Sequence, residues 1–120
     1  MEDVNVIIAV LATETSAQHV TRGWPAADAA DVMPLIALQL AGESCTARYD
    51  DAAYLMETEY YLRVFARDPA QCDRVAREAC RSMAGLGYQR VFAAEEATAA
   101  VHQRIGRYRK VWHTERMDEA

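Results

Sequence analysis

At 120 residues, with 52% apolar and 26% charged side chains, the chain is long enough to bury a core and too apolar for wholesale disorder. Its longest apolar run, residues 6–12, falls far short of the roughly 20 needed to span a bilayer, and Glu2 and Asp3 stand where a signal peptide carries basic charge. A net charge of −5 argues against a dedicated nucleic-acid binder, and three cysteines without a CxxC spacing read as reduced cytosolic thiols.

Val4, Ile7, Ile8 and Leu11 form a helical stripe with Asp3 as cap, while Val4, Val6, Ile8 and Val10 alternate equally well along a strand. Residues 14–18 continue without a turn signal, which favours the helix. Residues 19–24 then read as a short strand, and 25–33, rich in Ala and Asp, as a loop. Pro34 leads a strand-like run over 35–41 that closes on Gly42. Residues 43–57 hold Ser44, Asp50 and Asp51 and read as a long hairpin connection.

From 58 to 67 the alternation is regular. Tyr60, Leu62, Val64 and Ala66 share one face, and Tyr61, Arg63, Phe65 and Arg67 the other. Asp68-Pro69 then supplies an N-cap and a proline whose missing N–H costs nothing at the first helical position. Cys72, Val75, Ala76, Ala79, Cys80, Met83 and Leu86 recur at helical spacing, so Val75, Ala79 and Met83 are expected to pack on Leu62 and Val64. Asp73–Arg77 and Arg74–Glu78 are spaced for ion pairs, and Gly85 and Gly87 suit the helix end. Residues 89–93 and 101–113 read as two more strands, joined by 94–100 as a loop or short helical turn. The order α-β-β-β-α-β-β predicts one α+β domain over residues 1–120, a small mixed or antiparallel sheet with its helices mainly on one face.

Chemistry finds no foothold in these residues. His19, His102 and His113 are scattered and share no metal-ligand spacing with cysteine or carboxylate. Cys72 and Cys80 fall on the apolar stripe, where cysteine acts as a small hydrophobe, and nothing near Cys45 would lower its pKa. Asp50-Asp51 and Glu95-Glu96 are adjacent carboxylates, which a strand would point to opposite faces. Gly85-Leu86-Gly87 lacks the third glycine of a dinucleotide site and ends a helix instead of starting one. The basic run at 104–110, with Tyr108 inside it, suits a charged sheet face or a subunit contact better than nucleic acid in so acidic a chain. No catalytic residue, metal or cofactor is expected.

The succession of Pro25, the proline-led strand Pro34-Leu-Ile-Ala-Leu-Gln-Leu-Ala-Gly42, the strand Glu59-Tyr-Tyr-Leu-Arg-Val-Phe65 and a capped helix ending near Gly87-Tyr88 resembles the tail terminators of long-tailed phages. It is most similar to the minor tail protein U type, over about residues 24–90, through order and spacing and not through any single motif. The N-terminal segment is shorter than that family's usual opening helix. The resemblance implies a small α+β subunit, six copies of which form a ring on the finished tail tube. Such a ring ends tail growth and gives the head its docking surface. Its partners would be copies of itself, the tail-tube protein and a head-completion or connector protein. There would be no membrane, and DNA would be met only as it passes through the ring. The place would be the virion tail, after assembly in the host cytoplasm. A head–tail connector or neck component fits the same features, and a ferredoxin-like α+β oligomer with a ligand pocket is the alternative of another class.

The charge is unevenly spread: residues 1–59 stand at −8 and residues 60–120 at +3. A cyclic ring joins one surface of a subunit to a different surface of the next, and opposite charge orients such contacts. Asp50 and Asp51 are therefore expected to reach a neighbour's sheet face bearing Tyr61, Arg63, Phe65, Arg67, Arg104 and Arg107.

Overall fold

The computed structural model describes residues 4–23, 32–49, 53–97 and 101–114. Helix α1 (Val4–Glu14) is followed by strands β1 (His19–Arg22), β2 (Leu35–Tyr49) and β3 (Ala53–Ala66), helix α2 (Pro69–Gly85), and strands β4 (Gln89–Ala97) and β5 (His102–Thr114). The strands form one mixed sheet in the order β1-β2-β3-β5-β4, with β1 parallel to β2 and every other pair antiparallel. The α+β class and the order of elements are those expected from the sequence.

Both helices pack on one face. Ile7 and Leu11 of α1 and Cys72, Val75, Ala79 and Met83 of α2 close over Ile36, Leu38, Tyr60, Leu62, Val64 and Ala66. That settles the N-terminal ambiguity: the i, i+4 pair Ile7/Leu11 is buried, whereas Val6, which the strand pattern would have used, is 47% exposed. The start of β2 is buried throughout, Leu35, Ile36, Ala37 and Leu38 alike, as its unbroken apolar run implies.

Helix α2 begins and ends where its sequence signals lie. Asp68 accepts from the Ala70 amide at 3.3 Å, and Pro69 occupies the first turn. At the far end Gly87 takes φ +93°, and the Tyr88 amide donates to Met83 O at 2.9 Å and the Gly87 amide to Ala84 O at 3.0 Å. These are the two bonds that close a helix around a left-handed residue. Across the sheet, Gly106 is buried beneath the ring of its neighbour Tyr108, and a Cβ there would lie 2.7 Å from Tyr108 Cε2.

The strands run longer than the sequence suggests. Residues 43–57 are not a long connection: β2 continues to Tyr49 and β3 starts at Ala53. Register shifts between Leu40 and Gly42 and between Cys45 and Ala47 mark bulges, which break the period-2 alternation and so imitate a loop. A third shift, between Arg90 and Phe92, does the same in β4, which extends to Ala97 instead of stopping at residue 93. Strand β1 ends at Arg22, β3 at Ala66, and most of the expected 25–33 loop lies outside the described residues.

Candidate assembly surface

The alternation of β3 sorts the site residues between two faces. Tyr61, Arg63 and Phe65 lie on the sheet face away from the helices, beside Ile105, Arg107 and Arg109 of β5. All six are half-buried. Arg63 stacks over the Tyr61 ring at 5.2 Å and donates to Gln39 Oε1 at 3.2 Å. Arg107 Nε stands 3.3 Å from Glu59 Oε2, and Arg109 donates to Glu57 Oε1 at 3.4 Å. Arg107 and Arg109 are thus balanced by carboxylates of the neighbouring strand, each pair partly exposed and worth about 0–1 kcal/mol. Phe92 and Val111, 49% and 51% exposed, add apolar surface to it.

The other site residues are placed apart. Arg104 pairs with Val64, so it projects to the helix side, where it holds Asp73 at 2.6 Å and approaches Glu95 at 3.8 Å. It therefore stands on the opposite face from Arg63 and Arg107, because the odd and even positions of one strand cannot share a face. Arg67 is exposed in the turn after β3, beyond the end of the ladder. Asp50 and Asp51 lie outside the described residues, between β2 and β3 in sequence.

The expected ion pairs along α2 give way to one long-range ion pair and a pair of long-range hydrogen bonds. Asp73 turns to Arg104 instead of Arg77. Glu78 accepts from the Ser16 amide at 2.8 Å and from its hydroxyl at 2.9 Å, which leaves Arg74 without it. These bonds, with Ser82 Oγ donating to Glu14 at 3.0 Å, tie the end of α1 to α2. Lys110 spans the helix–sheet junction, donating to Leu86 O at 2.6 Å and standing 3.8 Å above the Trp112 ring. Sequence reasoning missed these roles, since partners 62 and 68 residues apart leave no local pattern.

Chemically the surface is quiet. Among the described residues no group of three His, Cys, Asp or Glu is placed to hold a metal ion. Burial, helped by Asp73, pushes the Cys72 thiol up, away from the thiolate a nucleophile needs. Burial, then the neighbouring Cys80, drives the Tyr108 phenol far above its ordinary range. The cleft between α2 and β5, lined by Ala76, Arg90, Arg104 and Gly106 among others, encloses about 280 Å³ even with its solvent-open part. That is below the roughly 300–1,000 Å³ of small-molecule sites. Two other depressions are open and lined mainly by polar side chains, one by Glu14, Glu78, Arg81 and Ser82, the other by Gly42, Glu43, Ser44, Glu57 and Glu59. No described helix is long and apolar enough to cross a membrane.

No protein-family model and no curated protein sequence matches the chain. Among solved structures it is similar to a chain described as "Virion of native gene transfer agent (GTA) particle". The TM-score is 0.54 at 13% identity, over 92% of this chain and 84% of that one. At that identity the likeness is one of fold: the two helices and five-stranded sheet of the described residues follow the architecture of a chain of a gene transfer agent particle.

Proposed function

We propose that the chain is a non-enzymatic structural protein of a phage-like virion, a tail terminator that rings the end of the tail tube. The observation that carries this reading is the fold likeness to a virion chain over nearly the whole length. The tail-terminator resemblance of residues 24–90 supports the finer assignment. A half-buried sheet face of aromatic and arginine side chains suits repeated protein contact, for which Tyr, Phe and Arg are favoured. In this reading the partners are further copies in a sixfold ring, the tail-tube protein and a head-completion protein, with DNA passing through the lumen. The free protein is a monomer or weak oligomer, because a ring that closed before the tube existed would plug nothing useful. Electron microscopy of tails assembled with and without the protein tests it. Tails lacking it should overgrow and fail to join heads. Normal-length, head-joined tails in a deletion strain would exclude the terminator role.

A further inference from the structure

We propose that copies of this chain join edge to edge, β4 of one pairing antiparallel with the stretch of β2 past Leu38 in the next. One sheet then runs through both subunits. The inference rests on the reading of the chain as a self-assembling subunit, and names the contact between neighbours.

The described sheet has an open edge on each side. On one side β4 is the last strand, laddered to β5 alone, and all but Val91 and Ala94 of its residues are exposed. On the other side β1 covers β2 only from Leu35 to Leu38. From Leu40 to Cys45 β2 is exposed, and its described ladder is with β3. A sheet edge presents backbone N–H and C=O groups at strand spacing, a template that another edge fits. Two of the four large apolar side chains exposed among the described residues stand at these edges, Leu40 at 45% and Phe92 at 49%. Leu40 lies on the helix side of β2, so its exposure shows that α1 stops short of this seat.

Strand direction and charge choose the partner. β2 and β5 run one way and β3 and β4 the other, so a copy set alongside in the same orientation brings β4 antiparallel to β2. β4 against its own copy gathers Glu95 and Glu96 of both strands, whereas residues 40–45 carry one charge, Glu43. Such a contact joins two different surfaces, head to tail, the kind that closes rings.

The register follows from the two faces. Phe92, Gly42 and Ser44 lie on the open face, while Ala93, Glu95 and Glu43 lie on the helix side. Matching like faces sets Phe92 opposite Gly42, opposite Ser44, or further along the arm. The last places Glu95 against Glu43, and like charges directly opposite are destabilising. The other two differ in stagger. Traced across the ladder, Phe92 is level with Tyr61, Gly42 with Glu59 and Ser44 with Glu57. Pairing Phe92 with Ser44 therefore displaces successive copies by about 14 Å along the strands, over four strand spacings totalling about 19 Å. The strands then incline by about 35° to the axis of a closed assembly, and those of closed barrels incline by roughly 35–45°. Pairing Phe92 with Gly42 gives only about 20°, outside that range. Ala93 thus comes to stand opposite Glu43 of the neighbouring copy.

The test places cysteines at Glu43 and Ala93 in a Cys45→Ser background. Within one chain these positions lie on β2 and β4 with two strands between them, about 14 Å apart across the sheet and beyond the reach of a disulfide. Mild oxidation of concentrated Glu43→Cys/Ala93→Cys/Cys45→Ser protein should give a ladder extending beyond dimer on non-reducing gels, absent with either new cysteine alone. Salt at about 0.5 M should leave the yield within about twofold, because backbone pairing is not an ionic contact. In the unaltered protein at the same concentration, alternate amides of 40–45 and 92–96 should exchange hydrogen about tenfold more slowly than in dilute solution. A dimer from Ala93→Cys/Cys45→Ser alone shows β4 pairing with itself and overturns the contact. Oligomers seen by light scattering without the cross-link and without the protection also overturn it, and leave the assembly reading standing. Protein that stays monomeric at every concentration, with neither cross-link nor protection, overturns it as well, while tail length in a deletion strain judges the terminator role separately.

Discussion

Val75→Asp puts a carboxyl where no water reaches. Val75 is fully buried in the cluster that α2 shares with Leu62 and Val64. Losing the valine's burial costs about 1.5–3 kcal/mol. The cheapest way to bury the new acid is to protonate it. At about pH 7, some three units above its ordinary 3.9, that adds roughly 4 kcal/mol at 1.36 kcal/mol per unit. The sum, about 6 kcal/mol, compares with a total stability of roughly 6–15 kcal/mol for a chain of this length. The folded-state pKa of the new group is raised, so the folded form keeps a proton that the unfolded chain releases. The deficit is full above the raised pKa and shrinks as pH falls towards 3.9, by about 1.4 kcal/mol per unit. Urea denaturation followed by circular dichroism at about pH 7 and pH 5 should therefore show a deficit roughly 2–3 kcal/mol smaller at the lower pH. Val75→Asn should show no such change. A Val75→Asp protein within about 1 kcal/mol of the parent at neutral pH would refute the burial argument, and a pH-independent deficit would refute the titration argument.

Other outcomes follow from single contacts. Gly106→Ala sets a Cβ 2.7 Å from Tyr108 Cε2, so it should destabilise by about 1–3 kcal/mol in thermal melts, and less when Tyr108→Leu makes room. Asp68→Ala removes the acceptor of the Ala70 amide and should cost about 1 kcal/mol, read as a lower denaturation midpoint at unchanged slope. Cys45 is exposed, while Cys72 is buried and donates weakly to Val64 O at 3.5 Å. A thiol reagent should label Cys45 at once and Cys72 only on unfolding; fast labelling of Cys72 would contradict its placement. Asp50→Lys/Asp51→Lys should weaken ring formation at low salt and leave the monomer's melt nearly unchanged, the comparison being electron-microscope counts of rings.

Local signals carried much of this fold. The Asp68-Pro69 start, the Gly87 stop and the apolar stripe of α2 depend on neighbours within a turn of helix, so they are readable in order along the chain. The faces of β3 follow from strict alternation, and Tyr61, Arg63 and Phe65 fell on the open face for that reason. Three things needed the tertiary structure. Bulges near Ala41, Thr46 and Val91 break the alternation, and only the partner strand shows that residues 43–49, 53–57 and 94–97 still belong to the sheet. The parallel seat of β1 beside β2 is a choice of edge that no local pattern encodes. The charges were the largest surprise. Spacing offered Asp73 to Arg77 and Glu78 to Arg74, but a flexible exposed i, i+4 pair is worth only about 0.3–0.5 kcal/mol. Arg104 and the Ser16 amide, brought close by the packing of β5 and α1 on α2, claim those carboxylates instead of Arg77 and Arg74.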